Sequence, residues 1–313
     1  MLIKIGTRSS PLAMAQTHHI MGLIKAVLPE AEFTLHAIAT MADRDRVSEF
    51  HQFGVVGVFA VEHESQLLSR EVDCVVHSLK DLPTSLAEGL TLAAVPSRED
   101  PRDALCGATL HELPQGARVG TGSLRRRAQI QSLRPDVEVV PIRGNVGPRL
   151  RKIEGEGGLD AVILAAAGLR RLGLSGSASE TMDPAVFPYA VGQGALGVEA
   201  RADDENLLAV LKRIEDPTAR AAVEAERAMM HALGAGCSLP VGVSAEIAAG
   251  RLTLRSQVTS LDGRDKVVAV EEGPAERARE VGLASAERLR ERGGAKILEA
   301  SYRDFSHFKT MRS

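Results

Sequence analysis

The amino-acid sequence predicts an α/β fold made of two successive units, followed by a smaller α+β module. Short apolar segments alternate with helical segments over roughly the first hundred residues, a pattern that favours a mostly parallel sheet. The alternation starts again after the polar stretch 95–104, and three strand-like segments and a helix fill the last third. A chain of 313 residues is long enough for two or three domains.

The first unit opens with the strand-like segment LIKIGT, residues 2–7. Ser10 is a good helix N-cap and Pro11 suits the first helical position, so we expect a helix that Pro29 stops. The segments that follow are a strand in EFTLHAIAT (32–40), a helix in FAVEHESQLLSREV (59–72) and a strand in DCVVHS (73–78).

The second unit repeats this alternation and ends at a crossing rich in Pro and Gly, FPYAVGQGALG (187–197). Its expected strands lie in ARVG (117–120), VEVVPI (137–142) and LDAVILAAAG (159–168), and its helices in LRRRAQIQSLRP (124–135), VGPRLRKIEGEGG (146–158) and from LRRLGL (169–174) onward. The helix DENLLAVLKRIED (204–216) follows the crossing, and Pro217 marks a boundary.

The last third reads as a small antiparallel α+β module. Three strands are expected in VGVSAEIAAG (241–250), RLTLRSQVTS (251–260) and DKVVAVEEG (265–273). A helix is expected in PAERAREVGLASAERLRERGG (274–294), with Pro at its start and Gly after its end.

Composition and charge argue against several classes of protein. A net charge of −3, 3% aromatic residues and no Trp disfavour nucleic-acid binding. The sequence has neither an apolar run of about 18 residues, as a membrane span requires, nor a signal-peptide pattern at its N-terminus. Three widely spaced cysteines indicate no disulfide framework and no metal site of the zinc type. We therefore expect a cytoplasmic protein with no nucleic-acid or membrane partner.

Cationic side chains follow almost every expected strand, and 30 of the 38 basic residues are arginines. Ligands of open α/β sheets bind at the carboxyl ends of strands, where helix N-termini also attract anions. Arginine binds carboxylates through a planar fork, so this placement predicts a small polyanionic ligand, whereas any one arginine alone is better explained as solvated surface. The side chains concerned are Arg8, Lys80, Arg125, Arg126, Arg143, Arg149, Arg170 and Arg171, with Thr121 and Ser123 beside them.

One acid and one thiol stand out in this setting. Asp81 follows Lys80, and it is either a structural ion pair or cap, or a catalytic carboxylate that stabilises positive charge or moves protons. Cys237 lies in GAGCSLPVG, between a glycine-rich turn and a proline, and is a candidate nucleophile or attachment point. Cys74 and Cys106 are expected to be structural.

Nine motifs in register resemble the porphobilinogen deaminase (hydroxymethylbilane synthase) family. They are TRSSPLA, HSLKDLPT, REDPRDA, GTGSLRRRAQ, IRGNVGPRL, ILAAAGLRRLGL, AVGQGALG, AERAM and GAGCSLPVG, spread over almost the whole chain. The resemblance implies two lobes of the periplasmic-binding-protein type, with a cleft and hinges, and a third domain that carries the cysteine loop. We expect the first lobe in residues 1–98 and 193–215, the second in 99–192 and the C-terminal domain in 216–313. The resemblance also implies a monomer.

The activity that the resemblance implies is the head-to-tail condensation of four porphobilinogen molecules, with loss of ammonia each time. Water then releases the linear tetrapyrrole hydroxymethylbilane, an intermediate of porphyrin and haem biosynthesis. In the family the chain grows on a dipyrromethane cofactor attached to a cysteine, which matches Cys237 here. Each pyrrole carries an acetate and a propionate, which accounts for a cleft lined with arginines.

The resemblance also assigns roles to individual residues of this chain. Asp81 is the expected catalytic residue, which stabilises the pyrrole nitrogens and the cationic methylene-pyrrole intermediate. The residues expected to hold the incoming substrate are Arg8, Ser10, Arg143, Arg149 and Arg171, with Gln193 and Phe59 near the cleft. The residues expected to bind the cofactor, besides Cys237, are Lys80, Asp81, Thr121, Ser123, Arg125 and Arg126.

The chain departs from the family pattern in one loop. Members usually have Gly-Gly-Lys-Gly-Leu-Phe after the second strand, often with another Lys shortly before, where this chain has HQFGVVGVFAVEHE. Gln52 and Val56 occupy the lysine positions, while Gly54, Gly57 and Phe59 remain, and TMAD replaces the usual Thr-Arg-Gly-Asp. Loss of these cations from a mobile cover of the cleft is expected to alter substrate capture or chain translocation.

Two alternatives to an active enzyme stay open at this point. A non-catalytic two-lobed anion-binding protein or sensor fits the arginines, but it needs neither a displayed thiol nor an acid among cations. An inactive member of the family fits the altered loop.

Overall fold

The computed structural model describes residues 1–38, 61–155, 158–234 and 239–310. The strands are β1 (Leu2–Thr7), β2 (Glu32–Ala37), β3 (Cys74–Ser78), β4 (Leu90–Ala94), β5 (Asp103–Cys106), β6 (Arg118–Gly120), β7 (Glu138–Val140), β8 (Ala161–Ala165), β9 (Glu180–Thr181), β10 (Leu196–Arg201), β11 (Val241–Ala248), β12 (Arg251–Thr259) and β13 (Lys266–Pro274). The helices are α1 (Pro11–Val27), α2 (Val61–Leu68), α3 (Leu124–Leu133), α4 (Val146–Glu154), α5 (Ala166–Arg171), α6 (Glu205–Lys212), α7 (Pro217–Ala232), α8 (Ala278–Glu291) and α9 (Gly294–Thr310). Over the described ranges, none of these helices combines the length and the apolar character that a membrane crossing requires.

Two five-stranded sheets form two lobes, with strand order β2-β1-β3-β10-β4 in the first and β7-β6-β8-β5-β9 in the second. In each sheet the first three strands are parallel and the fourth is antiparallel to the third. That fourth strand is the one that enters directly from the other lobe. Strand β5 follows the first crossing of the chain (95–102), and β10 follows the second crossing (182–195). The expected α/β lobes with mostly parallel sheets are confirmed, since four strands of each sheet run in one direction and only the entering strand runs against them.

The first lobe shows how local signals set its elements. Ser10 caps α1 as expected, since its hydroxyl accepts a hydrogen bond from the N–H of Ala13 at 3.2 Å, and Pro11 is the first helical residue. The helices α1 and α6 cover the sheet, and their apolar faces join one core with the strand residues. Each such buried aliphatic side chain contributes about 1.5–3 kcal/mol. The buried side chains include Ile3, Ile5, Ile20, Ile24, Leu207 and Leu211.

The C-terminal domain is an antiparallel sheet of order β11-β12-β13 that packs against α7 and α8. Pro217, expected as a boundary, is the first residue of α7, and the carboxylate of Asp216 caps that helix through the N–H groups of Thr218 and Ala219. The expected helix at 274–294 was placed too early, because Pro274 still belongs to β13 and pairs with Arg251. A single 3-10 turn follows, and α8 begins only at Ala278.

The C-terminal domain contacts both lobes. On the second lobe, Tyr189 and Val243 exchange two backbone hydrogen bonds of 2.9 and 2.8 Å. On the first lobe, the Arg220 guanidinium in α7 donates to the carbonyl of Leu92 at 2.9 Å. The helix α7 and its domain are therefore fixed against both lobes at once.

The turn between β12 and β13 gives a test of this docking. Gly263 has φ +76°, and a Cβ built there would lie 2.3 Å from the backbone nitrogen of Ser132 in α3. Gly250, in the other turn of the sheet, has φ +75° with open space around it. Gly250→Ala should cost about 1–2 kcal/mol through the left-handed backbone alone, and Gly263→Ala should cost a further ~1–3 kcal/mol because the contact must open. Urea unfolding measures both; equal losses would contradict the docking.

Candidate active site between the lobes

Side chains of both lobes meet where the parallel strands end. The first turn of α1 faces α5 of the second lobe, since a Cβ on Gly168 would lie 3.8 Å from Cδ2 of Leu12. On the first lobe the chain leaves β3 into a single 3-10 turn, Leu79–Asp81. On the second lobe it leaves β6 and β7 into α3 and α4. The carboxyl ends of strands from two sheets thus border one site, as expected for α/β folds.

The turn after β3 places Lys80 and Asp81 at the site. Leu79 is buried and its N–H donates to the carbonyl of Ala195 at 3.0 Å, which fixes the turn against the second crossing. Asp81 is exposed to solvent, whereas the ammonium of Lys80 donates to Oε1 of Gln193 at 3.4 Å. Burial, together with the positive charge of Arg126, lowers the pKa of Lys80 to about 8.

The loop between β6 and α3 supports the cationic side of the site. The Ser123 hydroxyl caps α3 by accepting from the N–H of Arg126 at 3.4 Å, and the Ser123 N–H donates to the Thr121 hydroxyl at 3.2 Å. The loop is tight, because a Cβ on Gly122 would lie 2.7 Å from the carbonyl oxygen of Ile142. Thr121 and Ser123 therefore orient the first turn of α3, from which Arg125 and Arg126 project.

Arg125 and Arg126 are almost fully buried and share one carboxylate, that of Asp103 at the start of β5. Arg126 donates to Asp103 Oδ1 through Nε at 3.0 Å and Nη2 at 2.7 Å. Arg125 Nη1 lies 2.7 Å from Asp103 Oδ2. Burial by itself would raise the pKa of Asp103, but the two guanidinium groups outweigh it and hold that pKa well below its usual range.

Gln193, in the second crossing, joins this group from the other side. Its amide nitrogen donates to Asp103 Oδ1 and to the Pro101 carbonyl, each at 2.8 Å. Its amide oxygen accepts from Lys80 of the first lobe and from Arg126 of the second, both at 3.4 Å. This one side chain therefore bridges cations of the two lobes.

Arg149, in α4, lies close to this cluster. Its Nε donates to the carbonyl of Gly144 at 2.7 Å. Burial, and then the charge of Arg126, lowers the pKa of Arg149 to about 10, while Asp81 acts in the opposite direction and Arg143 adds to the lowering. Asp81 is therefore near enough to Arg149 for their opposite charges to interact.

The remaining arginines of the expected set are placed differently. The Arg171 guanidinium donates to the carbonyl of Gly194 at 2.7 Å, so it holds the second crossing from the side of α5. Arg170 is exposed and pairs with Glu99 at 2.7 Å. Arg8 directly follows β1 and is half-buried. The structure thus brings together Lys80, Asp81, Gln193, Arg125, Arg126, Arg143 and Arg149.

Several sequence predictions fall outside the described residues. Phe59, the lysine-poor loop with Gln52 and Val56, and Cys237 are among them. The other two cysteines are buried, and burial raises the pKa of Cys74 to about 12 and that of Cys106 to about 11. These two are structural residues, as expected.

Sequence reasoning missed three residues that organise the site: Asp103, Arg98 and Glu226. Glu226, in α7, is fully buried, and its carboxylate accepts from Arg98 at 2.6 and 3.1 Å and from the N–H of Gly192 at 2.7 Å. Arg98 lies in the first crossing and Gly192 in the second. The motifs REDPRDA and AERAM contained these residues, but motif membership alone does not show that they are buried partners.

The fold and the site define a two-lobed α/β protein with a cluster of cationic side chains between the lobes and a C-terminal domain anchored to the crossings. Family profiles match it as "Porphobilinogen deaminase, dipyromethane cofactor binding domain" over residues 3–209 and "Porphobilinogen deaminase, C-terminal domain" over residues 220–291. The chain belongs to the porphobilinogen deaminase family. It is an enzyme that polymerises porphobilinogen into a tetrapyrrole for porphyrin biosynthesis, with a dipyrromethane cofactor.

Relatives named porphobilinogen deaminase are similar along almost their whole length. The protein from Syntrophobacter fumaroxidans is 43% identical over 305 residues, which cover 96% of this chain and 98% of the relative. That from Desulforudis audaxviator is 46% identical, with 95% and 96% covered, and that from a Roseiflexus species is 46% identical, with 94% and 97% covered. This membership decides for the enzyme over a non-catalytic anion-binding protein.

Solved structures add little to this assignment. A nutrient-binding protein from Burkholderia cenocepacia, bound to methionine, matches 71% of this chain and 95% of its own, with a TM-score of 0.40 and 11% sequence identity. Because the TM-score and the sequence identity are this low, the description of the lobes rests on their sheet topology.

The lowered pKa of Lys80 predicts a pH dependence of stability. Its pKa is about 8 in the folded chain, against a model-compound value of 10.5 that applies when the chain is unfolded, so the unfolded chain binds more protons between these values. The contribution of this residue to the free energy of unfolding should therefore rise with pH from about 8 to 10.5. Denaturant unfolding at intervals from pH 7 to 10 measures the free energy of unfolding of the parent and of Lys80→Met. The value for the parent minus the value for the variant should increase with pH. A pH-independent difference would contradict the shift.

Proposed function

We propose that the condensation takes place at the cluster between the lobes, with Asp81 as its catalytic carboxylate. The observation that carries this proposal is the meeting of Lys80 and Asp81 from the first lobe with Arg126 and Arg149 from the second. An exposed carboxylate beside several cations is the arrangement that a polycarboxylate substrate with a reacting cationic centre requires.

The residues present fit a dipyrromethane. Two pyrroles carry four carboxylates, and the cations of the cluster (Lys80, Arg125, Arg126, Arg143 and Arg149) outnumber its acids (Asp81 and Asp103). When bound, the cofactor supplies the end to which porphobilinogen is joined. Lys80, Arg125 and Arg126 are its proposed anchors, and Thr121 and Ser123 keep these arginines in place.

Cys237 is the proposed attachment residue. The helix α7 ends at Ala232 and the described chain resumes at Leu239, so the segment that carries this cysteine starts next to a helix fixed against both lobes. Burial and raised pKa values make Cys74 and Cys106 unsuitable, because the thiolate is the reactive form.

Asp81 has two tasks in this proposal. Its carboxylate accepts hydrogen bonds from pyrrole N–H groups, and its charge opposes the positive charge that develops on the substrate as ammonia leaves. Its exposed position leaves it accessible to a ligand that enters between the lobes.

The remaining cations are the proposed holders of the incoming porphobilinogen. Arg143 and Arg149 follow β7, and Arg8 and Ser10 follow β1, so the two lobes each offer groups to the acetate and propionate arms. Arg171, Gln193 and Phe59 complete this proposed set, in which Arg171 and Gln193 also hold the crossings.

We further propose domain boundaries at 98/99, 192/193 and 215/216, a monomeric enzyme and a cytoplasmic location. Sheet membership supports the boundaries, since β10 returns to the first sheet and α7 begins at Pro217. Size-exclusion chromatography with light scattering tests the monomer, and a mass of two chains would contradict it.

Replacing Asp81 tests the catalytic role. Asp81→Asn should lower kcat by roughly 10²- to 10³-fold, the range for loss of one electrostatic stabiliser of the transition state. Because Asp81 is exposed, the urea midpoint should stay unchanged. Steady-state formation of porphyrin, after acid oxidation of the product, measures kcat. Wild-type turnover in a folded Asp81→Asn enzyme would rule out the assigned role.

Replacing Arg149 tests the recognition of carboxylates by a guanidinium fork. Arg149→Lys should lower kcat/KM by roughly 10- to 100-fold, the equivalent of about 1.5–3 kcal/mol for a charge-assisted hydrogen bond. The control is Arg134→Lys in the same lobe, where the fork binds Asp136 at 2.9 and 2.7 Å. That variant should lose stability but keep kcat/KM within about twofold. Similar losses of kcat/KM in both variants would argue against a role for Arg149 in binding.

A further inference from the structure

Asp103 is the group that joins two arginines of the second lobe to Gln193 of the second crossing. Its carboxylate is 0% exposed, and its Oδ1 accepts three hydrogen bonds: two from Arg126, at 3.0 and 2.7 Å, and one from Gln193 at 2.8 Å. Its Oδ2 lies 2.7 Å from Arg125 Nη1. A buried carboxylate is tolerated only when it is paired, and these contacts supply the pairing.

The backbone of Asp103 is held on a rigid element. It lies at the first position of β5, opposite Ala165 of β8, and its carbonyl accepts from the N–H of Met182 at 2.8 Å. A charged group on a paired strand fixes its partners more closely than one on a loop. The positions of Arg126 and Gln193 therefore follow from the position of this strand.

The two arginines depend on Asp103 to different degrees. Arg125 also donates to the Pro188 carbonyl at 2.7 Å and to Gln129 at 3.3 Å, and is 4% exposed. Arg126 uses Nη1 on the Ile163 carbonyl at 2.9 Å and directs Nη2 to both Asp103 and Gln193. Arg126 is thus the arginine whose contacts reach, through Gln193, the Lys80 side of the site.

We propose that Asp103 is a positioning residue of the condensation: its carboxylate holds Arg126 and Gln193 in the one arrangement in which the cofactor's carboxylates and Lys80 are correctly spaced. The inference rests on the proposed function of Arg126 as a cofactor anchor. It predicts that Asp103 affects turnover on the anchored chain rather than capture of free substrate, which other arginines hold.

The test compares Asp103→Asn with Glu199→Gln. Glu199 is also 0% exposed and pairs with His77 at 2.9 Å within the first sheet, away from the cluster. With activity expressed per cofactor-bearing chain, counted by intact mass, Asp103→Asn should lose roughly 10- to 100-fold in kcat, the effect of a displacement of about 1 Å. Its KM should change less than about threefold, and Glu199→Gln should keep both constants. Parent kcat per cofactor-bearing chain in Asp103→Asn would overturn the proposal, even if that variant is less stable.

A second pair of variants decides the matter if Asp103→Asn does not fold. Asp103 with Arg125 and Arg126 carries a net charge of +1, which Asp103→Asn raises to +2 and the double variant Asp103→Asn/Arg125→Gln restores. Comparing the double variant with Arg125→Gln alone isolates the effect of Asp103 on Arg126. A kcat at least about tenfold lower in the double variant supports the inference, and equal kcat values overturn it.

Arg126→Gln separates failure of the inference from failure of the proposed function. If Arg126→Gln loses activity while Asp103→Asn keeps it, only the inference is wrong. If Arg126→Gln keeps parent kcat and cofactor content, the assignment of Arg126 is wrong and the inference falls with it.

Discussion

Two buried carboxylates fix the two crossings of the chain between the lobes, and the rest of the site depends on them. Glu226 binds Arg98 of the first crossing and the backbone of Gly192 in the second, while Asp103 binds Gln193. The Arg98 guanidinium also lies 5.0 Å from the centre of the Tyr189 ring and donates to the Gln193 carbonyl. Removing one member of such a buried pair leaves an uncompensated charge, so both crossings are fixed strongly.

This arrangement links the C-terminal domain to the chemistry between the lobes. Glu226 lies in α7, whose last turns also approach the loop after Asp81: the Arg227 guanidinium donates to the carbonyls of Leu82 and Pro83 at 3.1 and 2.6 Å. The segment that carries Cys237 begins just beyond this helix. We propose that a tether starting at this fixed point carries the growing chain past Asp81, as stepwise polymerisation at one site demands.

Local signals were sufficient to predict much of the fold, and non-local pairing explains what they missed. The Ser10–Pro11 cap and the alternation of strands and helices identify β1, α1 and the two units. Strands β5 and β10 were missed because they are buried along their whole length and contain charged residues, so they show no alternation. Burial of Asp103 and Glu199 is possible only because Arg126 and His77, distant in sequence, reach them.

As with the fold, the sequence was sufficient to predict where the site lies but not the partners of its side chains. The rule that ligands bind at the carboxyl ends of strands was enough to expect cations of both lobes in one cleft. It could not show that Arg125 also binds Asp103 and the Pro188 carbonyl, or that Arg170 pairs with Glu99 instead, because both outcomes depend on partners from other segments. Motif matching located Asp103 and Glu226 without revealing their part in the site.

The central claim is that tetrapyrrole assembly proceeds on a cofactor tethered to Cys237 beside this cluster. The most direct test is the intact mass of the denatured protein, measured beside a Cys237→Ala variant. The account predicts a mass excess of two pyrrole units in the parent and none in the variant. The same excess in both proteins, or an unmodified parent that gains no adduct after incubation with porphobilinogen, would contradict it.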